Sequence, residues 1–563
     1  MIIREEFKKE FYDVISQRPT CVIFNTDVDA LCSFKILNTL LKFDDISITF
    51  IAVDNFSDLQ SLMKDCIQEG GAILLINCGG NKDLNSIETP NDTIIFVLDS
   101  RRPISLDNIF GRDSIRVLLS ESDIDDLQIP SYSEICDYCS NDEEDIENEE
   151  SGYERTIRHE NNVRKYQQNQ RYLLAKYYEF SWTGIGSSVF MIELAHYMGK
   201  SNIELMWCGV VGLTSQMVDK LITQDAFTNA CVDRLAMLIK KFTSTKTGEL
   251  DKSDDKLRLT FDIELLLPLY RHWSLIKSMS QSENYIARAK LYTQGGLLKM
   301  KHLLVQLGIE LNEVNQNYST LNAQRRKEIF GILIEDQNKR YIGFTAHFGY
   351  YTKYSANDFA RILSNEIAKN VTKESACKRI TGAWSLLSNF IEGFTQKENI
   401  PKAIEDYKVS LEAVTELAYN YLNTSQLFAT KQYCIVRPHT TLDLHYLYSL
   451  HFFNIFASLI KKCYLVSKKS RNVLKIPIFF EIPGIGNNIE FVRITGHMPI
   501  STTIGDDGYI KNSVSSIFDN VIDPNSTNMG RRDSFDSNVV YVKTEQRQSF
   551  YESIGIFIET NFK

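Results

Sequence analysis

Asn25-Thr26-Asp27-Val28-Asp29 follows directly on the apolar run Cys21–Phe24 and sets two carboxylates two residues apart, just past a strand end. Carboxylates so placed form half of a divalent-metal site for phosphoester chemistry, in which charged oxygens bridge and neutralise the ions. The rest of such a site belongs at the ends of later strands. Those positions carry Asn77, and then Asp99-Ser100-Arg101. A neutral amide bridges metals poorly, and a guanidinium puts positive charge where a cation would sit. Asp27 also suits a plainer role, as N-cap of a helix beginning near Val28, and Asp99 can pair with Arg101 or Arg102.

The elements that must position these residues are legible as short apolar, β-branched runs: Thr20–Phe24, Ile46–Val53, Ala72–Ile76, Ile94–Leu98 and Arg116–Leu119. Between the first two, Ala30, Phe34, Leu37 and Leu41 recur at steps of four, three and four, one face of a helix. Buried strands separated by helices predict a parallel sheet covered on both sides. Ligands in such sheets bind beyond the carboxyl ends of the strands. Asn25, Asp27, Asp29, Asn77 and Asp99 all follow strand ends and are expected to share one crevice.

At 563 residues the chain exceeds one core and suggests about three domains. Its 62 basic and 72 acidic residues leave a net charge of −10, which argues against a dedicated duplex-DNA binder. The start has no apolar signal core, and Leu444–Ile460 is too short and polar to span a membrane. Eleven scattered Cys point to a reducing compartment, and the lone Cys136-Asp137-Tyr138-Cys139 lacks the second pair that zinc needs. Residues 134–160 interrupt the α/β pattern with the acidic run Asp142–Glu150, expected to form a solvated surface insertion. Trp182-Thr183-Gly184-Ile185-Gly186-Ser187-Ser188 leads into a helix at Val189–Met198; it suits a phosphate cradle or a simple Ser cap. Met206–Leu213 reads as a strand-like or buried segment. Residues 226–390 read as helical with polar breaks, and 391–563 return to mixed structure.

Taken in order, the motifs carry a resemblance. Asp27-Val28-Asp29-Ala30-Leu31-Cys32 resembles the first motif of the DHH phosphoesterases, the RecJ-like nucleases. With Ile76-Asn77-Cys78-Gly79, Val97-Leu98-Asp99-Ser100-Arg101-Arg102-Pro103, Val211-Gly212-Leu213-Thr214 and His272-Trp273-Ser274-Leu275, the set resembles the cell division control protein 45 family. Set against the nuclease pattern, Asn25, Asp27 and Asp29 stand at its three acidic first-motif positions, and Asn77 stands for an acid. Asp99-Ser100-Arg101 stands for Asp-His-His, and Ser215 falls near a fourth-motif acid. The Gly-Gly-His element of the nucleases is reduced to Gly496-His497.

The resemblance implies an α/β protein: a DHH-like domain at 1–225, a helical helicase-interaction insertion at 226–390 and a DHH-associated domain at 391–563. It implies a nuclear, non-catalytic accessory subunit of the replicative DNA helicase, without cofactor. Its partners would be the MCM ring, which supplies the ATPase, the GINS complex, and polymerase and loading factors at the fork. No G-x-x-x-x-G-K-[ST] loop occurs here. The alternative is a manganese- or magnesium-dependent RecJ-like exonuclease or phosphodiesterase; a third reading is a single-stranded DNA binder, which needs a basic groove with stacking aromatics. Partner contacts are expected from exposed aromatics of the insertion, with Tyr270, Trp273, His347 and Tyr350 as candidates. At the vestigial site, at least one of Arg101 and Arg102 is expected to fold back onto the crowded carboxylates, because guanidinium stays charged and can bridge two of them.

Overall fold

The computed structural model describes the chain except residues 67–68, 137–151, 244–256, 338–340, 349–351, 394–398, 425–426, 439–441, 467–475, 485–488, 500–507, 523–528 and 562–563. The acidic run Asp142–Glu150, Cys139 and Tyr350 thus lie outside the described residues; Cys136 is exposed.

The first sheet is built from β1 (Ile2–Ile3), β2 (Thr20–Asn25), β3 (Thr49–Val53), β4 (Ala72–Ile76), β5 (Ile94–Leu98) and β6 (Ile115–Leu118). Its spatial order is β1-β6-β5-β4-β2-β3, and every pairing is parallel. Side chains alternate across a pleated strand, and here the alternation divides two cores. Val22, Phe24, Leu74, Ile76, Phe96 and Leu98 enter one, while Cys21, Ile23, Ile73, Leu75, Ile95 and Val97 enter the other. The first face is covered by α1 (Val28–Phe43), the second by α2 (Phe56–Asp65).

α3 (Ser187–Tyr197) and α4 (Ile203–Val218) complete the first face. The strand-like reading of Met206–Leu213 is thereby corrected to helix. A run apolar on all sides does not distinguish a buried strand from a buried helix, and α4 is buried from Leu205 to Val218. Asn202 caps it, accepting from Leu205 N at 2.8 Å.

The reading of 226–390 as helices with polar breaks is also corrected in part, since the region includes strands. β7 (Leu257–Glu264), β8 (Tyr341–Phe348) and β9 (Thr352–Ser355) form a three-stranded antiparallel sheet. Between β7 and β8 lies a helical module with its own core, from Leu265 to Leu333, which includes α5 (Gly296–Gln306). The last two helices, α6 (Ala356–Ala368) and α7 (Ala376–Ile391), join the first core instead. Phe390 stacks on Trp207 of α4 at 5.3 Å, and Trp384 lies 5.3 Å from Phe34 of α1.

After α8 (Asn399–Thr424), β10 (Leu427–Ala429) and β11 (Cys434–Val436), α9 (Leu450–Val466) packs into the same core. β12 (Ile478–Pro483), β13 (Phe491–His497), β14 (Gly530–Arg531) and β15 (Val539–Lys543) complete a mixed six-stranded sheet, ordered β10-β11-β12-β13-β15-β14. Its outer face carries a separate core with the C-terminal α10 (Arg547–Asn561). The carboxyl end of the first sheet, the C-terminal end of α4, α9 and β13 enclose a cavity of about 540 Å³.

Candidate functional site

The strand ends bring Asp27, Asp29, Asn77, Ser100 and Arg101 onto one wall of this cavity, with Ser215 from α4. Asp27 is the N-cap of α1, its Oδ1 accepting from Ala30 N at 2.7 Å. Its Oδ2 accepts from the Asn25 amide at 2.7 Å. Asp29, in the first turn of the helix, is buried, and its carboxylate lies at the start of α3. Oδ2 accepts from Ser187 N at 2.8 Å and Oδ1 from Ser188 N at 3.1 Å. The anion seat at that helix start, open to a phosphate in the sequence reading, is taken by this carboxylate. Glycine permits the approach: a Cβ on Gly186 would stand 2.7 Å from Asp29 Oδ1, and one on Gly212 would stand 2.2 Å from Ser188 Oγ.

Asn77 links the strand ends. Its backbone is left-handed, with φ of 52°, a conformation Asn tolerates better than most residues. Its Nδ2 donates to Asp29 Oδ2 at 2.9 Å and Asp27 Oδ1 at 3.2 Å. Its Oδ1 accepts from Ser187 Oγ at 2.6 Å and Ser100 N at 3.1 Å. An acid here would accept from both of the latter but would set a third negative charge against Asp27 and Asp29.

Asp99 has a fully buried carboxylate. It accepts from Gly80 N at 3.0 Å and Arg101 N at 2.9 Å. The Arg101 guanidinium lies between two acids, 3.6 Å from Asp27 Oδ2 and 3.7 Å from Asp99 Oδ1, and also donates to the Asn77 carbonyl. Arg102 turns the other way, donating to the Asp99 carbonyl and reaching Asp123 at 3.9 Å. Ser215 is buried and its hydroxyl donates to the Gly212 carbonyl at 2.7 Å.

Burial pushes the Asp27 carboxyl up to about 6, against the pull of Arg101 and with a further push from Asp29. Burial works against the Arg101 charge too, but Asp99 and Asp27 outweigh it and hold its pKa above the ordinary value. A phosphoesterase metal pair does not fit this donor set. Asp29 is engaged by backbone amides and Asn77, and a guanidinium holds the space between Asp27 and Asp99. Among the described residues no three His, Cys, Asp or Glu side chains converge as ligands.

The facing wall comes from the C-terminal part. Lys461 of α9 approaches His497 Nδ1 of β13 at 3.4 Å, and burial pushes its ammonium down to about 8. Among the described residues no carboxylate lies within ion-pair distance of it. Gln216 is buried at the same cavity with both amide atoms unpartnered. Neither Lys461 nor Gln216 carries a local sequence signal.

Of the aromatics expected to stand exposed, the three among the described residues do not. Tyr270 is buried, donating to Glu264 beside Arg271 and meeting Tyr318 edge-on at 5.2 Å. Trp273 is buried as well, and its carbonyl accepts from Tyr318 N at 3.2 Å. His347 is half-buried on β8, its Nε2 2.8 Å from Thr260 Oγ1. Tyr270 is thus core of the inserted module and Trp273 belongs to the first core, and neither is a surface anchor.

The sequence pattern of the CDC45 family matches residues 21–162 and 137–556. The cell division control protein 45 homologue of Homo sapiens is 27% identical over 573 residues, covering 98% of both chains. That of Mus musculus is 26% identical over 579 residues, again covering 98% of each. Among solved structures, CDC45 from Entamoeba histolytica superimposes with a TM-score of 0.68 at 16% identity, covering 99% of this chain and all of that one.

Proposed function

Because this chain belongs to the cell division control protein 45 family, we propose that it acts in DNA replication as a non-catalytic accessory subunit of the replicative helicase. It braces the MCM ring together with GINS, in the nucleus, and works beside polymerase and loading factors at the fork. ATP hydrolysis falls to the ring. The observation that carries the non-catalytic reading is the self-neutralised acid site. Arg101 lies between Asp27 and Asp99, and the first amides of α3 hold Asp29. Metal-assisted phosphoester hydrolysis needs those oxygens free to bridge ions. Among the described residues no helix is long and apolar enough to cross a membrane.

The test is reconstitution. The purified chain, mixed with MCM ring and GINS, is expected to enter one assembly and raise its DNA unwinding. A chain that stays apart from both, or an assembly that unwinds equally well without it, refutes the bracing role.

One observation favours single-stranded DNA as a further ligand. The cavity is large enough for a nucleotide, and Lys461, with no carboxylate within ion-pair distance among the described residues, offers a phosphodiester a cation in a partly desolvated setting. Retention of labelled oligo-dT by the full chain, weakened in Lys461→Met, tests this reading separately from assembly.

A further inference from the structure

The inserted module turns one apolar helix face outward. α5 buries Met300, Leu303 and Leu304 in the module core. On its opposite side Leu298 is 62% exposed and Val305 59%, and Leu297, 52% exposed, flanks them on the side of Leu304. Residues three and four apart on a helix are neighbours, so Leu298, His302 and Val305 form one line and Leu297 and Lys301 the adjacent one. Three large aliphatic side chains are thereby grouped in water on one helix. Grouped apolar exposure of this kind marks an interaction surface, whereas single exposed aliphatics are ordinary.

The same face carries cationic side chains. Lys299, Lys301 and His302 are all exposed, and the chain has no Asp or Glu from 289 to 309. Among the described residues no carboxylate lies within ion-pair distance of Lys299 or Lys301. Their charge is therefore available to a ligand, and it selects for negative charge beside an apolar stripe.

We propose that the outer face of α5 docks an amphipathic helix of a protein partner, one whose apolar stripe is bordered by Asp and Glu. A helix laid on a helix uses anchors at this spacing. A second copy of this chain is disfavoured, because two-fold pairing would set these lysines against their own copies. A lipid surface is disfavoured because the inner half of α5 is bound into the module core, leaving three side chains to insert. Nucleic acid is disfavoured because α5 carries no Phe, Tyr or Trp on which a base could stack. The docking surface lies apart from the cavity, and peptide binding by the isolated chain reads it separately from the assembly proposed above.

The test uses the full chain and two synthetic 18-residue helical peptides. Both carry Leu at i, i+3, i+4 and i+7; one is flanked by Glu and the other by Lys. Fluorescence anisotropy is expected to show binding of the Glu peptide alone, weakening as salt rises from 50 to 300 mM. A Leu298→Asp, Val305→Asp protein is expected to bind about tenfold or more weakly, while Ile556→Asp, on the exposed face of α10, binds as wild type. Lys299→Glu, Lys301→Glu leaves the apolar packing intact and is expected to lose the Glu peptide, so a folding defect in the first variant does not decide the matter. Equal binding of both peptides, binding of neither, or Glu-peptide binding untouched by either variant overturns the proposal. So does variant-sensitive self-association in sedimentation, or variant-sensitive binding to phosphatidylserine vesicles.

Discussion

Removing the Arg101 guanidinium should produce a stability loss that grows with pH. In the wild type, Asp27 titrates near 6, so holding it ionised at neutral pH costs about 3 kcal/mol relative to the unfolded chain. A carboxyl whose folded-state pKa is raised contributes stability that is complete below its unfolded value and is lost as pH rises through its folded value. The wild-type loss from Asp27 is therefore finished shortly above pH 6. Without Arg101, Asp27 titrates higher and keeps losing stability through pH 7 and beyond. At pH 7 that extra loss is capped at about 1.5 kcal/mol, because Asp27 then takes up a proton instead. Asp99 loses an ion pair but keeps two backbone donors, and the Asn77 carbonyl loses a donor, which adds about 1–2 kcal/mol. Arg101→Ala should therefore destabilise by about 2–4 kcal/mol at pH 8 and clearly less at pH 5. Chemical denaturation of both proteins from pH 5 to 8 measures the difference. A gap that stays constant across that range, or no gap at all, would show that water and not Arg101 screens these carboxylates.

Three further outcomes follow from the same geometry. Titration calorimetry with Mn²⁺ should show no binding that depends on Asp27 and Asp29, and no single-stranded DNA or small phosphodiester should be hydrolysed with added metal; turnover abolished by Asp27→Ala, Asp29→Ala would restore the nuclease reading. Gly212→Val places a branched side chain where even a Cβ would lie 2.2 Å from Ser188 Oγ and 3.0 Å from Asp29 Oδ1; it should cost about 3 kcal/mol or more by overpacking, measured as a fall in thermal midpoint, whereas Gly295→Val, with open space around it, should not. Oligo-dT retention should weaken as pH rises through about 8, where Lys461 gives up its proton, and Lys461→Met should remove that dependence along with the affinity.

The sequence makes the first sheet legible because its strands are short, β-branched and spaced by turn residues; β4 and β5 lie at the residues read for them. Placing Asp27, Asp29, Asn77 and Asp99 at strand ends needs only parallel topology. What answers Asp29 is not legible. Ser187 and Ser188 lie 158 and 159 residues away in the chain, and a helix start gives no sign of which anion it holds. The same limit hides the burial of Tyr270 and Trp273. Aromatic and basic composition looks alike in a docking surface and in a buried core, and only tertiary packing separates them. The long apolar segment at Ile203–Val218 fails for a different reason, because burial on all sides erases the period that distinguishes helix from strand.

A separate set of contacts fixes the cleft around the acid site. Asp533, from the C-terminal part, accepts from Ser57 N at 2.8 Å and Ser57 Oγ at 2.6 Å at the start of α2. Asn81 donates to the Phe535 carbonyl at 2.8 Å, and Lys82 to the Arg532 carbonyl at 3.0 Å. Ser181 and Asn512 exchange backbone hydrogen bonds of 2.8 Å in both directions. On the far side of the cavity, His451 of α9 meets Asp219, the residue ending α4, at 2.6 Å with both side chains buried. Opening the cleft means breaking these bonds together, at about 1 kcal/mol for each neutral one and more for those with a charged partner. A hydrolase that must admit substrate and release product gains nothing from such a latch. A brace that must hold two surfaces at a fixed angle does, because any hinge motion at the cleft would loosen both contacts at once. On the proposed role, the acid site answered by Arg101 and by the first amides of α3 and the bonds across the cleft serve one end, a fixed shape.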